Sequence, residues 1–148
     1  MNKDCDTPMT PEALVALARE DVRRALQEDV GPGDLTAALV PAQRRARARI
    51  LAREDAVICG APWAEAALRA LDPGVQLAWQ VAEGQRCAPG QVVLEIEGSA
   101  RALLSAERSA LNFLQLLSAV ATKTRTYVDA VAGTRARIVD TRKTLPGL

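Results

Sequence analysis

Arg142 and Lys143 stand side by side in Thr141-Arg142-Lys143-Thr144, directly after a short run, Arg137-Ile138-Val139-Asp140, that reads as a strand. An arginine fork fits a carboxylate or phosphate edge to edge, and a lysine adds a compact point charge. Two cations leaving the end of one strand suit a small dianion, and in α/β folds ligands gather at the carboxyl ends of strands. The other reading of the same pair is a solvated basic turn. Arg108 is the next candidate, with Leu104 four residues before it and Leu111 three after it on one side of an apolar helix. An unpaired guanidinium is costly to bury, so Arg108 is expected to meet an anion, to open onto a cleft, or to pair with an acid of a neighbouring helix. Glu107 beside it reads as structural, orienting a basic neighbour.

Other chemistry has little to stand on. The chain contains no histidine, no Gly-rich phosphate loop, no nucleophile elbow and no cluster with metal-ligand spacing. Cys5, Cys59 and Cys87 are odd in number, far apart and without a C-x-x-C pair, which argues against a disulfide framework or a zinc site and reads as small core residues. Asp34 and Thr36 read as helix-capping residues rather than ligands. Taken from the residues alone, the chain offers anion-binding cations and no evident acid, base or nucleophile.

The bulk properties are those of a soluble globular protein: 148 residues, 49% apolar and 25% charged. A net charge of +1 argues against nucleic-acid binding through the whole surface. Yet 16 of the 19 basic residues are arginine, and Arg101 to Lys143 holds eight basic residues against three acids, so that half is locally cationic. Met1 to Asp6 lacks an apolar core and no run is long enough to span a bilayer, so a reduced, cytoplasmic protein without a membrane segment is expected.

The elements that must position the cations follow from caps, breaks and periodicity. Thr10-Pro11-Glu12 starts a helix whose apolar residues recur from Leu14 to Leu26, and Gly31-Pro32-Gly33 stops it near Asp29. Arg45–Arg53 and Ala56–Gly60 read as two strands or one bent pair, Pro62–Leu71 as a helix, and Val75–Ala82 and Gln91–Glu97 as strands joined by Glu83–Gly90. These make an α+β module of about a hundred residues. A helix beginning near Arg101 is polar only at Asn112 and Gln115 between Ser109 and Ala121, which predicts burial on nearly all sides. Gly133 ends it, and the strand and cationic turn follow as a half-formed βα unit, so the chain reads as cut in mid-domain.

Two stretches carry a resemblance: Glu107-Arg108-Ser109-Ala110-Leu111-Asn112, and Asp140-Thr141-Arg142-Lys143-Thr144-Leu145-Pro146-Gly147. Both resemble quinolinate phosphoribosyltransferases, as do Glu28 to Thr36 and Val81 to Gly90 in that family's amino-terminal domain. The resemblance implies a small open, sandwich-like sheet-and-helix domain over residues 1–102, then the first helix and strand of a truncated α/β barrel over residues 103–148. It implies an enzyme of NAD biosynthesis that joins quinolinate to phosphoribosyl pyrophosphate with Mg2+, giving nicotinate mononucleotide, pyrophosphate and carbon dioxide. Arg108 matches the arginine that reaches across a homodimer, or a higher homo-oligomer, to the partner's quinolinate. Thr141, Arg142 and Lys143 match the quinolinate-binding segment after the first barrel strand, with Lys143 in the catalytic role. The magnesium and phosphate ligands are expected beyond Leu148, so the chain alone is expected to be inactive and, with an exposed barrel edge, prone to aggregate.

Two rivals are separable. A family associated with molybdate transport shares the architecture, and activity with quinolinate distinguishes it. The stretch from Val81 to Gly98 also resembles the hairpin of biotinyl or lipoyl carriers, but those need a lysine at the turn and Glu83–Gly90 has none. A non-catalytic binding or structural fragment is the remaining alternative.

Overall fold

The computed structural model describes residues 9–141. The first helix, α1 (Pro11–Asp29), opens as its sequence requires: the Thr10 hydroxyl accepts from the Ala13 N–H at 3.2 Å, and Pro11 lies in the first turn. Ala18 and Val22 are its buried residues, whereas Leu17, expected on the same stripe, is exposed. A short helix, α2 (Leu35–Ala38), follows the Gly31-Pro32-Gly33 break.

Five strands come next: β1 (Arg45–Leu51), β2 (Ala56–Val57), β3 (Gln76–Trp79), β4 (Arg86–Cys87) and β5 (Val92–Ser99), with helix α3 (Ala61–Leu71) between β2 and β3. Three form an antiparallel sheet in the order β1-β5-β3. The strands expected at 75–82 and 91–97 are therefore neighbours, but their connector is not a plain loop, because β4 lies in it and pairs with β2 as a second small sheet. The run from 45 to 60 correspondingly divides between the two sheets.

Register explains which residues face in. Ala46, Ala48 and Ile50 pair with Gly98, Ile96 and Leu94, while Arg47 and Arg49 pair with Glu97 and Glu95 on the outer face. A bulge between Ile50 and Leu51 shifts the pairing, and beyond it Val93 joins a cluster with Ile58, Val81, Cys87 and Leu114. Leu94, with no exposed surface, and Ile96 pack instead with Leu68, Val75 and Ala106. A third cluster joins Val22 of α1 and Ala64 and Ala67 of α3 to Ala110.

The long helix α4 (Ala100–Ala130) backs all three clusters, through Ala106, Ala110 and Leu114. It approaches closely at Gly60, φ +105°, where a Cβ would stand 3.0 Å from Leu117 Cδ1. The boundary expected at 102/103 falls in the first turn of α4.

Two expectations need correction. Ser109–Ala121 is not buried on nearly all sides: Leu116 is 67% exposed and Val120 59% exposed. The sheet and α3 cover only one side of α4, so the apolar residues of the other side meet water in this chain. Along part of its length α4 and the inner face of β1 leave an open groove of about 1400 Å³, lined by Ala48, Ile50, Leu103, Leu104 and Leu111. The second correction concerns 137–140, expected as a strand, which joins neither sheet among the described residues. A strand is held by hydrogen bonds to neighbours, and no described strand pairs with this run. Helix α4 does end as expected before Gly133, whose φ is +81°. No helix among the described residues is long and apolar enough to cross a membrane.

Candidate functional site

Arg108 belongs to a stripe of three polar side chains on the first turns of α4, spaced four and three residues apart, that grips the segment after α1. Arg101 donates from Nε to the Val40 carbonyl at 2.6 Å and from Nη2 to the Ala38 carbonyl at 3.1 Å. Ser105 donates its hydroxyl to Asp34 Oδ2 at 2.8 Å, and Arg108 donates from Nη1 to Asp29 Oδ1 at 3.0 Å. Asp34 caps α2 with its other oxygen, accepting from the Thr36 and Ala37 N–H groups at 2.9 Å each. Gly31, at φ +52°, adopts a left-handed conformation that lets the chain turn between the two aspartates. The stretches 28–36 and 107–112, far apart in sequence, thus meet at one place.

The electrostatics follow from these contacts. The Ala37 N–H, the Ser105 hydroxyl, the Thr36 N–H and the charge of Arg108 together hold the Asp34 carboxyl below its ordinary range. Arg108 uses one donor in a single bond to Asp29, and its side chain is 76% exposed against 23% for Asp29. Of the outcomes expected for it, the structure shows pairing with an acid of a neighbouring helix. The guanidinium is not buried beside Leu104 and Leu111: Leu104 is itself exposed, and a long arginine stem lies along apolar surface while its head reaches water. Glu107 is exposed and does not pair with Arg108, whose partner is Asp29.

Thr141 is exposed, and Arg142 and Lys143 lie outside the described residues. The structure does not bring Arg108 and Thr141 together by any hydrogen bond. Roughly 33 Å of helix, at 1.5 Å per residue, separates Arg108 from the end of α4 at Ala130.

Sequence reasoning named Arg108 and Asp34 but missed Asp29, Ser105 and Arg101 as their companions. The 101/105/108 spacing is the signal that one helical face presents all three, although spacing cannot say what that face meets.

Cys5 lies outside the described residues, and neither of the two described cysteines shows a sign of reactivity. Cys87 is buried, and its thiol contacts the Ala56 carbonyl at 3.6 Å. Burial, and then the neighbouring Glu83 carboxylate, push the Cys59 thiol up to about 11. Among the described residues no three His, Cys, Asp or Glu side chains converge to hold a metal.

Residues 34–118 match the quinolinate phosphoribosyl transferase N-terminal domain, and residues 120–148 match the C-terminal domain of the same family. The nicotinate-nucleotide pyrophosphorylase (carboxylating) of Mycobacterium leprae is 44% identical over 138 residues, covering 88% of this chain and 48% of that protein. A probable enzyme of the same name from Synechocystis is 43% identical over 123 residues, covering 83% of this chain and 42% of its own length. Among solved structures, the nicotinate-nucleotide pyrophosphorylase of Francisella tularensis superposes with a TM-score of 0.86 at 34% identity, over 90% of this chain and 48% of that one. NadC of Streptococcus pyogenes does so with a TM-score of 0.84 at 36% identity, over 96% and 50% respectively. The chain spans about half the length of the relatives it matches. With both domain families matched in order along one chain, and with the fold shared, this chain belongs to the quinolinate phosphoribosyltransferase family.

Proposed function

We propose that the whole protein transfers the phosphoribosyl group of phosphoribosyl pyrophosphate to quinolinate with loss of carbon dioxide, giving nicotinate mononucleotide and pyrophosphate. In this reading the chain supplies an amino-terminal domain, 1–102, and the start of a barrel, 103–148. The observation that carries it is Arg108: an exposed guanidinium, held by one carboxylate through one nitrogen, with its remaining donors unengaged among the described residues. Such a group is suited to a carboxylate of an aromatic dianion.

About 33 Å of helix lies between Arg108 and the end of α4 at Ala130, which favours a division of labour between subunits. We infer a homodimer in which Arg108 of one subunit serves the quinolinate bound by Thr141, Arg142 and Lys143 of the other, in the cytoplasm. Quinolinate has two carboxylates for these cations. Lys143, close to the ring, would offset the negative charge left on the ring carbon as carbon dioxide departs. Magnesium would be held by residues outside 9–141. The alternative activity, associated with molybdate transport, finds no support in the names of the relatives above.

The test measures quinolinate-dependent nicotinate mononucleotide formation by the 148-residue chain and by the complete gene product that carries it. Activity is expected only in the complete product, and Arg108→Ala and Lys143→Ala are each expected to lower kcat/KM by about 100-fold or more. A complete product inactive on quinolinate refutes the reading, and an active 148-residue chain refutes the need for the rest of the barrel.

A further inference from the structure

Asp29 is oddly placed for a carboxylate. It is the last residue of α1, at the negative end of the helix dipole, and the last turn of α1 carries no basic residue to offset it. Its side chain is three-quarters covered. Among the described residues the cation that reaches it comes from another helix, through the Arg108 Nη1 bond of 3.0 Å. Its neighbour Asp34 is tied down from three directions, by Thr36, Ala37 and Ser105, so the turn that follows Asp29 is itself fixed against α4.

A pair that served only to dock α1 and α2 onto α4 would resemble Arg101, which is half-buried and spends two donors on backbone carbonyls. Arg108 instead leaves most of its guanidinium in solvent. One nitrogen fixed from behind by a sheltered carboxylate removes rotameric freedom from a long side chain without occupying its fork. We propose that Asp29 is a positioning residue that orients the Arg108 guanidinium, through its single bond to Nη1, for a ligand carboxylate. This rests on the reading that Arg108 contacts quinolinate.

An orientation that matters equally before and during reaction acts on binding. Asp29→Ala in the complete gene product is therefore expected to raise KM for quinolinate about tenfold, the worth of one charge-assisted hydrogen bond, with kcat within about twofold and KM for phosphoribosyl pyrophosphate unchanged. Asp29→Asn keeps a carbonyl acceptor of the same shape and is expected to recover most of the loss. If the alanine variant does not fold, Asp29→Leu, similar in size and without an acceptor, carries the test with the same expected rise in KM. The decisive measurement is the double variant: in an Arg108→Ala background, Asp29→Ala should cost nothing further in KM. An unchanged KM in the single Asp29 variant that lacks the acceptor, or an equal rise with and without Arg108, overturns the inference while leaving Arg108 in its role. An Arg108→Ala variant with normal quinolinate kinetics overturns the underlying reading and the inference with it.

Discussion

Two stripes on different sides of α4 carry no charged side chain and meet opposite fates. The side toward the sheet and α3 carries Ala106, Ala110, Leu114 and Ser118, all buried. The other carries Leu116, Val120 and Tyr127, all exposed. Side-chain size distinguishes the two more than polarity does. Small residues let a helix approach a sheet closely, and at Gly60 the approach leaves no room for a Cβ without displacing Leu117. The larger residues face a side for which the described residues supply no cover. An apolar helix therefore does not reveal how much of it is buried in its own chain, whereas a stripe of small residues does indicate the side of closest packing.

The largest expected effect tests that contrast within one turn. Leu114→Ala removes a 4% exposed side chain from the cluster of Ile58, Val81, Cys87 and Val93, and is expected to lower unfolding free energy by about 2–5 kcal/mol. Leu116→Ala, two positions on, should stay within about 0.5 kcal/mol. Urea unfolding of the 148-residue chain measures both. Comparable losses would show that the exposed side is covered in solution, and the contrast would fail.

A smaller effect is expected at the polar corner of the buried side. Ser118 exchanges hydrogen bonds with the Cys59 N–H and carbonyl, and Thr122 accepts from the Val57 N–H at 2.8 Å. The helix that follows, α3, has Gly60 at its amino-terminal cap and no capping side chain of its own. Glu83 supplies the cap from another loop, accepting from the Gly60 and Ala61 N–H groups at 2.9 Å each. Glu83→Ala is expected to cost about 1–2 kcal/mol, and Glu83→Gln, which keeps one acceptor, about half of that. Thermal unfolding of the three proteins in parallel checks the order.

Local and distant information separate along the same line. The Thr10 and Asp34 caps, the Gly31-Pro32-Gly33 break and the strand alternation were legible because each signal and its consequence lie within a few residues. The Glu83 cap was not, since nothing in Glu83–Gly90 points to a helix start more than twenty residues earlier. The two-residue strands β2 and β4 are too short to show a period. At the candidate site Arg108 was legible by its misfit among leucines, but its partner Asp29 was not, because helix spacing does not tell what an exposed face touches. The run 137–140 has strand character in sequence through Ile138 and Val139, yet no described strand supplies the ladder that makes a strand.

The last expected effect changes reactivity rather than folding free energy at neutral pH. The Cys59 thiol is raised from an ordinary value of 9.0 to about 11, first by burial and then by Glu83. A thiol raised that far holds about 100-fold less thiolate at pH 8 than an unperturbed one, and alkylation by iodoacetamide should be slower by about the same factor. Site-resolved mass spectrometry of Cys59 measures that rate. Glu83→Ala removes one cause and leaves burial, so the rate should rise only part of the way. The sign with pH is fixed by the direction of the change. Below pH 9 both folded and unfolded chains keep the proton, and between about 9 and 11 only the unfolded chain releases it, so stability falls as pH rises through that window. Replacing Cys59 with alanine should remove that part of the alkaline loss. If Cys59 of the wild-type chain were alkylated at pH 8 as fast as an unperturbed thiol, the corner held by Ser118, Thr122 and Glu83 would be opening faster than the reagent reacts. The difference between the two sides of α4 would then be one of average packing and not of protection.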